Sequence, residues 1–136
     1  MATAQASGWQ TWNSGPFCIE RKSGKNPGTV ILVFRGPFTL RDAYSCLEPT
    51  ALNKILELEP APGDPPVAKN IIDLTECPYI DSSGLGIIVT HLVRCQKKGI
   101  KLVCAGISPR VKQVMHITRV DGIIPCCGSV EEAENC

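Results

Sequence analysis

Ile80-Asp81-Ser82-Ser83-Gly84-Leu85-Gly86 is the stretch on which the reading of the fold turns. Before it lies the short apolar run Asn70-Ile71-Ile72-Asp73-Leu74, and between them a loop from Thr75 to Ile80 that contains Pro78. After it, Leu85, Ile88, Val89, Leu92 and Val93 recur at helical spacing. Asp81 stands where a helix needs an N-cap acceptor, Ser82 and Ser83 fill the first turn, and Gly84 and Gly86 permit tight packing. Lys97-Lys98-Gly99 closes the segment with two cations at the negative end of the helix dipole and a glycine for the exit. A strand with apolar contact on both faces that feeds a helix is the unit of a parallel α/β sheet.

Downstream, Lys101 to Ala105 predicts a strand and Ser108-Pro109 a cap with proline at the first helical position, Val111, Val114 and Met115 forming the buried stripe. Ile123 and Ile124 predict a final strand, and Val130 to Glu134 a last short helix. Upstream, Phe17, Ile19 and Arg21 alternate with polar or small residues, Ser23 to Gly28 carries turn chemistry, and Thr29 to Phe34 is a β-branched and apolar run. Together they predict a hairpin entering the core. Gly36-Pro37 ends its second strand, and Thr39 is placed to cap a helix through Leu40, Ala43, Tyr44 and Leu47. Pro49 starts a second helical piece carrying Leu52, Ile55, Leu56 and Leu58. Four of the eleven prolines fall between Glu59 and Pro66, a surface connection. The order predicts an α/β sandwich with a mainly parallel sheet after an antiparallel start. Residues 1–16 read as an irregular arm able to dock through Trp9 and Trp12, and residues 17–136 as a single domain.

The whole chain fits one domain: 136 residues, 43% hydrophobic, with 14 Lys+Arg against 13 Asp+Glu for a net charge of +1. No apolar run approaches the roughly 20 residues that cross a bilayer. Met1 to Gly15 has neither charge nor apolar block, so it reads as neither signal nor transit peptide, and a cytoplasmic location is expected. The eight cysteines do not suit a disulfide scaffold, which is normally small, secreted and poor in aliphatic residues. Most are expected to be buried small hydrophobes, Cys18, Cys104 and Cys126 in core strands, which leaves Cys127 and Cys136 as the redox-sensitive thiols. Without a C-x-x-C or a close histidine pair, no metal or other cofactor is implied.

Enzyme readings of the motif fail one by one. A dinucleotide fingerprint needs a third small residue where Val89 stands, and a phosphate-binding P-loop needs a lysine earlier than Lys97. A serine nucleophile would need a base, yet His91 lies roughly 13 Å along the helix from Ser82, and His116 would have to arrive by tertiary packing. What remains beside a plain capped helix is a phosphorylation site. A phosphate on Ser82 would sit by unpaired N–H groups yet add nearly two charges next to Asp81. A partner fitted to the neutral serine would lose its match. Every charged residue between Asp81 and Asp121 is basic, namely Arg94, Lys97, Lys98, Lys101, Arg110, Lys112 and Arg119. Lacking interleaved aromatics, they read as a solvated face or a surface for an acidic protein rather than a nucleic-acid patch.

Taken together, these segments resemble the STAS-domain family, and within it the bacterial anti-anti-sigma factors, also called anti-sigma factor antagonists. The resemblance is carried by Asn70 to Leu74, by Tyr79 to Gly86, by Leu102 to Val111 and by Gly36, and it spans about Phe17 to Ile124. It implies a four- to five-stranded mixed sheet with helices mainly on one face. It also implies partner switching. The unphosphorylated antagonist binds an anti-sigma factor serine kinase, the kinase phosphorylates Ser82, and a metal-dependent protein phosphatase restores it. Asp81, Ser82, Ser83, Gly84, Gly86 and Thr39 would form the partner contact. The protein would be a kinase substrate and not an enzyme, with no cofactor, nucleic acid or membrane partner, and a homodimer is compatible with this. Thr39 stands where the family usually carries an aspartate, which removes a charge near the site. That departure supports the rival reading, a STAS scaffold or transport-associated subunit that works without phosphorylation.

Overall fold

The computed structural model describes residues 11–14, 17–39 and 55–136. Along the chain these form β1 (Thr11–Ser14), β2 (Phe17–Ser23), β3 (Thr29–Arg35), β4 (Lys69–Glu76), α1 (Ser82–Lys97), β5 (Lys101–Ala105), α2 (Pro109–Ile117), β6 (Cys126–Cys127) and α3 (Val130–Asn135). The strands lie side by side in sequence order in one six-stranded sheet. β1, β2 and β3 pair antiparallel, and β3 to β6 pair parallel. The expected mixed sheet is therefore present, extended by a short strand at each edge.

Sequential order explains where the helices go. Right-handed crossovers that always step in the same direction return on the same face of the sheet. Leu85, Ile88, Leu92 and Cys95 of α1 and Val111 and Met115 of α2 accordingly share one core with Leu32, Phe34, Ile72, Leu74, Leu102 and Cys104. Ile55, Leu56 and Leu58 join it. Phe17, Phe34 and Phe38 form its aromatic end, with Phe17 and Phe38 stacked at 4.5 Å and Phe34 edge-on to both. Alternate strand residues point the other way, and Ile31, Val33, Ile71, Val103 and Ala105 are buried around Ala133 of α3.

Several expectations need correction. Thr11–Ser14 is an edge strand and not irregular: it takes main-chain bonds from β2, which demand no side-chain pattern. The final strand is not at Ile123 and Ile124, whose N–H groups both bond to the Val120 carbonyl in a turn; it falls at Cys126–Cys127, opposite Cys104 and Ala105. Val93 is 43% exposed, because the buried face of α1 runs through Gly84, Leu85, Ile88, His91, Leu92 and Cys95. Cys126 is exposed and Cys18 only half-buried, whereas Cys77, Cys95 and Cys104 are buried. The helical pieces expected from Leu40 to Leu52, and the docking of Trp9 and Trp12, lie outside the described residues or side chains.

Candidate functional site

The start of α1 is bracketed by the segment that follows β3. Phe38 N donates to the Tyr79 carbonyl at 2.9 Å, Asp81 N donates to the Phe38 carbonyl at 3.3 Å, and Phe38 and Ile80 form a parallel bridge with both side chains fully buried. Asp81 has extended backbone angles and accepts from Gly84 N through Oδ1 at 2.8 Å, while its carbonyl accepts from Leu85 N at 3.0 Å. The N-cap role read from the sequence is thus present. Gly84 is needed for a steric reason: a Cβ there would lie 2.6 Å from the Phe38 carbonyl oxygen and 2.8 Å from Ile80 Cγ2. Gly86 is different. An added Cβ meets nothing within 4 Å, so the expectation of tight packing at Gly86 is wrong.

This bracket sets Ser82 at the first helical position, exposed, with Ser83 half-buried behind it. Thr39, half-buried, follows Phe38 directly and so lies beside the same helix start. α2 begins against the same loop: Ser108 Oγ donates to the Pro78 carbonyl at 3.4 Å and accepts from Val111 N at 3.2 Å. The Arg110 guanidinium lies 4.4 Å from the centre of the Tyr79 ring, a cation–π contact. Neither helix has an acidic residue in its first turn. Along α1, Ser82, Gly86, Thr90, Val93 and Lys97 are all exposed at spacings of three or four, so they make one outward stripe.

The two histidines do not complete a catalytic group. His91 is buried and its Nε2 lies 2.8 Å from Asn70 Oδ1, an amide oriented in turn by Asn70 Nδ2 donating to the Val30 carbonyl at 3.0 Å. Burial, and secondarily Arg94 and Lys98, hold its pKa down to about 4, so the imidazole is neutral with Nε2 donating. His116 is paired at 3.0 Å with Asp121 at the far end of α2, about 12 Å of helical rise from the Ser108 cap that faces the motif. The His116 base that a serine hydrolase requires is therefore remote. Among the described residues no cluster of His, Cys, Asp or Glu could hold a metal ion, and no helix is long and apolar enough to cross a membrane. Two clefts of about 270 and 340 Å³ open elsewhere, one at the β2–β3 turn and one between Met115, Asp121 and Cys126. The brackets from Phe38, and the His91–Asn70 pair, escaped the sequence reading because they join residues far apart in the chain.

A one-sheet α/β domain, its crossover helices on one face and an exposed serine at a capped helix start, is what the fold and the site define. The chain belongs to the STAS domain family, which it matches over residues 22–133. It is 40% identical over 53 residues to the anti-sigma-B factor antagonist of Listeria monocytogenes, a match covering 39% of this chain and 46% of that protein. The chain thus spans about half the length of that curated relative. Its fold is similar to that of a Thermotoga maritima protein assigned as an anti-sigma factor antagonist, with a TM-score of 0.67 and 21% identity over 86% of this chain and 92% of the other. It is also similar to a sulfate transporter family protein from Wolinella succinogenes, with a TM-score of 0.64 and 19% identity over 82% and 86% of the two chains.

Proposed function

We propose that this protein is an anti-sigma factor antagonist working by partner switching in the bacterial cytoplasm. The observation that carries the reading is the placement of Ser82: exposed at the first position of a helix whose start is fixed by the Asp81 cap and the Phe38 bracket. The partial match to the Listeria antagonist supports it. An anti-sigma factor serine kinase binds the unphosphorylated start of α1. It then transfers the γ-phosphoryl of ATP to Ser82 Oγ, leaving ADP and a proton, and a metal-dependent phosphatase hydrolyses the ester. Two charges arriving beside Asp81 weaken the complex without refolding the domain. Asp81, Ser83 and Gly84 shape the contact from beneath, while Gly86, with open space above it, lets a partner's backbone approach. Thr39 sits beside this surface. The protein itself is a kinase substrate and not an enzyme, and uses no cofactor.

The test is incubation with ATP and each histidine-kinase-like anti-sigma factor of the same genome, followed by phosphopeptide mapping and binding measurements. Phosphate on Ser82, with Ser82→Asp weakening binding by about 10- to 100-fold, is the expected result. If no such kinase modifies Ser82 and Ser82→Asp binds every partner as well as the unaltered chain, partner switching is wrong. Thr39, in place of an acid, favours a second reading, a STAS scaffold or transport-associated subunit whose contacts ignore Ser82 phosphorylation. That same negative result would select it.

A further inference from the structure

The loop that leads into α1 also carries the start of α2. Ser108 Oγ donates to the Pro78 carbonyl at 3.4 Å, and the next loop residue, Tyr79, is itself fixed, its carbonyl accepting from Phe38 N at 2.9 Å. The exposed Arg110 guanidinium lies 4.4 Å from the centre of the half-buried Tyr79 ring. A guanidinium on an aromatic face keeps its charge and its fork of N–H donors, so Tyr79 orients Arg110 without neutralising it. The acids that flank this loop in sequence are committed elsewhere. Asp73 Oδ1 accepts from Thr75 N at 3.0 Å and from Thr75 Oγ1 at 2.6 Å, Glu76 pairs with Arg35 at 3.2 Å, and Asp81 caps α1. Among the described residues no carboxylate pairs with Arg110. Tyr79 stands three positions before Ser82, at most about 11 Å of chain. A partner footprint of about 800 Å² is a disc roughly 16 Å in radius, so one centred on Ser82 covers Tyr79 and leaves room for the guanidinium at its ring.

Resting on the partner-switching reading, we propose that Arg110 is a second anchor for the kinase, pairing with a carboxylate on the kinase surface that seats over Ser82, and that Tyr79 is its positioning residue. The guanidinium fork takes both oxygens of that carboxylate while its face stays on the ring. Binding normally costs the ordering of a long side chain, and the Tyr79 contact meets part of that cost before the partner arrives. Phosphorylation then acts twice. A phosphate on Ser82 repels the carboxylate that Arg110 holds, and it competes for the same guanidinium. Lys112 does not share this role: it lies two positions further along α2, about 200° around the helix, and lines the cleft beside Met115 and Cys126.

The test measures phosphorylation of Ser82 in full-chain variants by the kinase that modifies the unaltered chain. Arg110→Glu should raise KM for the chain about 10-fold or more at about 100 mM salt, leave kcat within about twofold, and lose most of its effect by about 500 mM. Lys112→Glu makes the same charge change on the same helix and should leave KM within about twofold. Tyr79→Phe keeps the aromatic face and should behave as the unaltered chain, whereas Tyr79→Leu should raise KM severalfold at an unchanged Tm. Arg110→Glu phosphorylated with unchanged KM overturns the anchor and leaves partner switching standing. Equal KM effects from Arg110→Glu and Lys112→Glu also overturn it, since they report the general field of the helix. If no kinase modifies Ser82, the anchor and the partner-switching reading fall together.

Discussion

A methyl group added at Gly84 meets the Phe38 carbonyl oxygen at 2.6 Å, whereas one added at Gly86 meets nothing within 4 Å. Gly84→Ala must therefore push α1 away from Phe38, and we expect it to destabilise the fold by about 1–3 kcal/mol in a denaturant titration. Gly86→Ala should instead stabilise by up to about 1 kcal/mol through helix propensity. If Gly86 serves the partner contact, the same variant will bind the cognate anti-sigma factor at least severalfold more weakly while melting higher; undiminished binding would remove Gly86 from the surface. His91 makes a different kind of prediction. Folded, it resists protonation down to about 4, while the unfolded imidazole takes up its proton near 6.5, so between these values the unfolded chain binds more protons. The stability due to neutral His91 is complete above about pH 6.5, declines as pH falls, and is spent below about pH 4, a loss of at most about 3 kcal/mol. His91→Gln keeps a donor for Asn70 and cannot titrate. Across that window its stability should fall less steeply than the wild type's, and parallel curves would show that His91 does not titrate with unfolding.

At the scale of elements, α3 is too short to be stable by itself and depends on what it touches. Glu134 ties it to the turn between β2 and β3: the carboxylate accepts from Lys25 N at 2.9 and 3.0 Å and from Asn26 N at 3.3 Å. Glu134→Ala leaves these donors without that acceptor, and we expect a loss of about 1–3 kcal/mol together with faster hydrogen exchange at Lys25 and Asn26. Unchanged exchange there would mean that the turn is held without α3. The contact also shows what a sequence can and cannot convey. α1 and α2 were legible because Asp81, Ser108 and Pro109 act within four residues of themselves, and the β2–β3 hairpin because its alternation and turn are adjacent. Glu134 was legible only as a short acidic helix, since its partners lie more than a hundred positions away. Ile123 and Ile124 looked like a strand by residue type, but Asp121-Gly122 turns the chain and sends Ile124 into the core beside α2. Within the motif the cap and the exposed serine were readable; the division of labour between Gly84 and Gly86 was not, because it depends on Phe38 approaching from another strand.

Over the whole molecule, the near-zero net charge hides a segregation that the fold turns into geometry. The exposed stripe of α1 begins with Ser82 beside Asp81 and ends with Lys97, about 22 Å away by helical rise. The Debye length at physiological ionic strength is about 8 Å, so Lys97 cannot neutralise a phosphate on Ser82. The two ends of the stripe are thus electrically independent, one able to change its charge and the other constantly positive. For whichever partner the Ser82 experiment identifies, the basic end should speed encounter with an acidic surface, and the serine end should govern how long the complex lasts. Stopped-flow association of the unphosphorylated chain should slow severalfold between about 50 and 500 mM salt, and Lys97→Glu should slow it about two- to fivefold at low salt with little change in dissociation. Ser82→Asp should do the reverse, raising the dissociation rate with a smaller effect on association. Salt-independent association, or a Lys97→Glu effect confined to dissociation, would place the partner's footprint away from the basic end of α1 or make that end part of the bound contact itself.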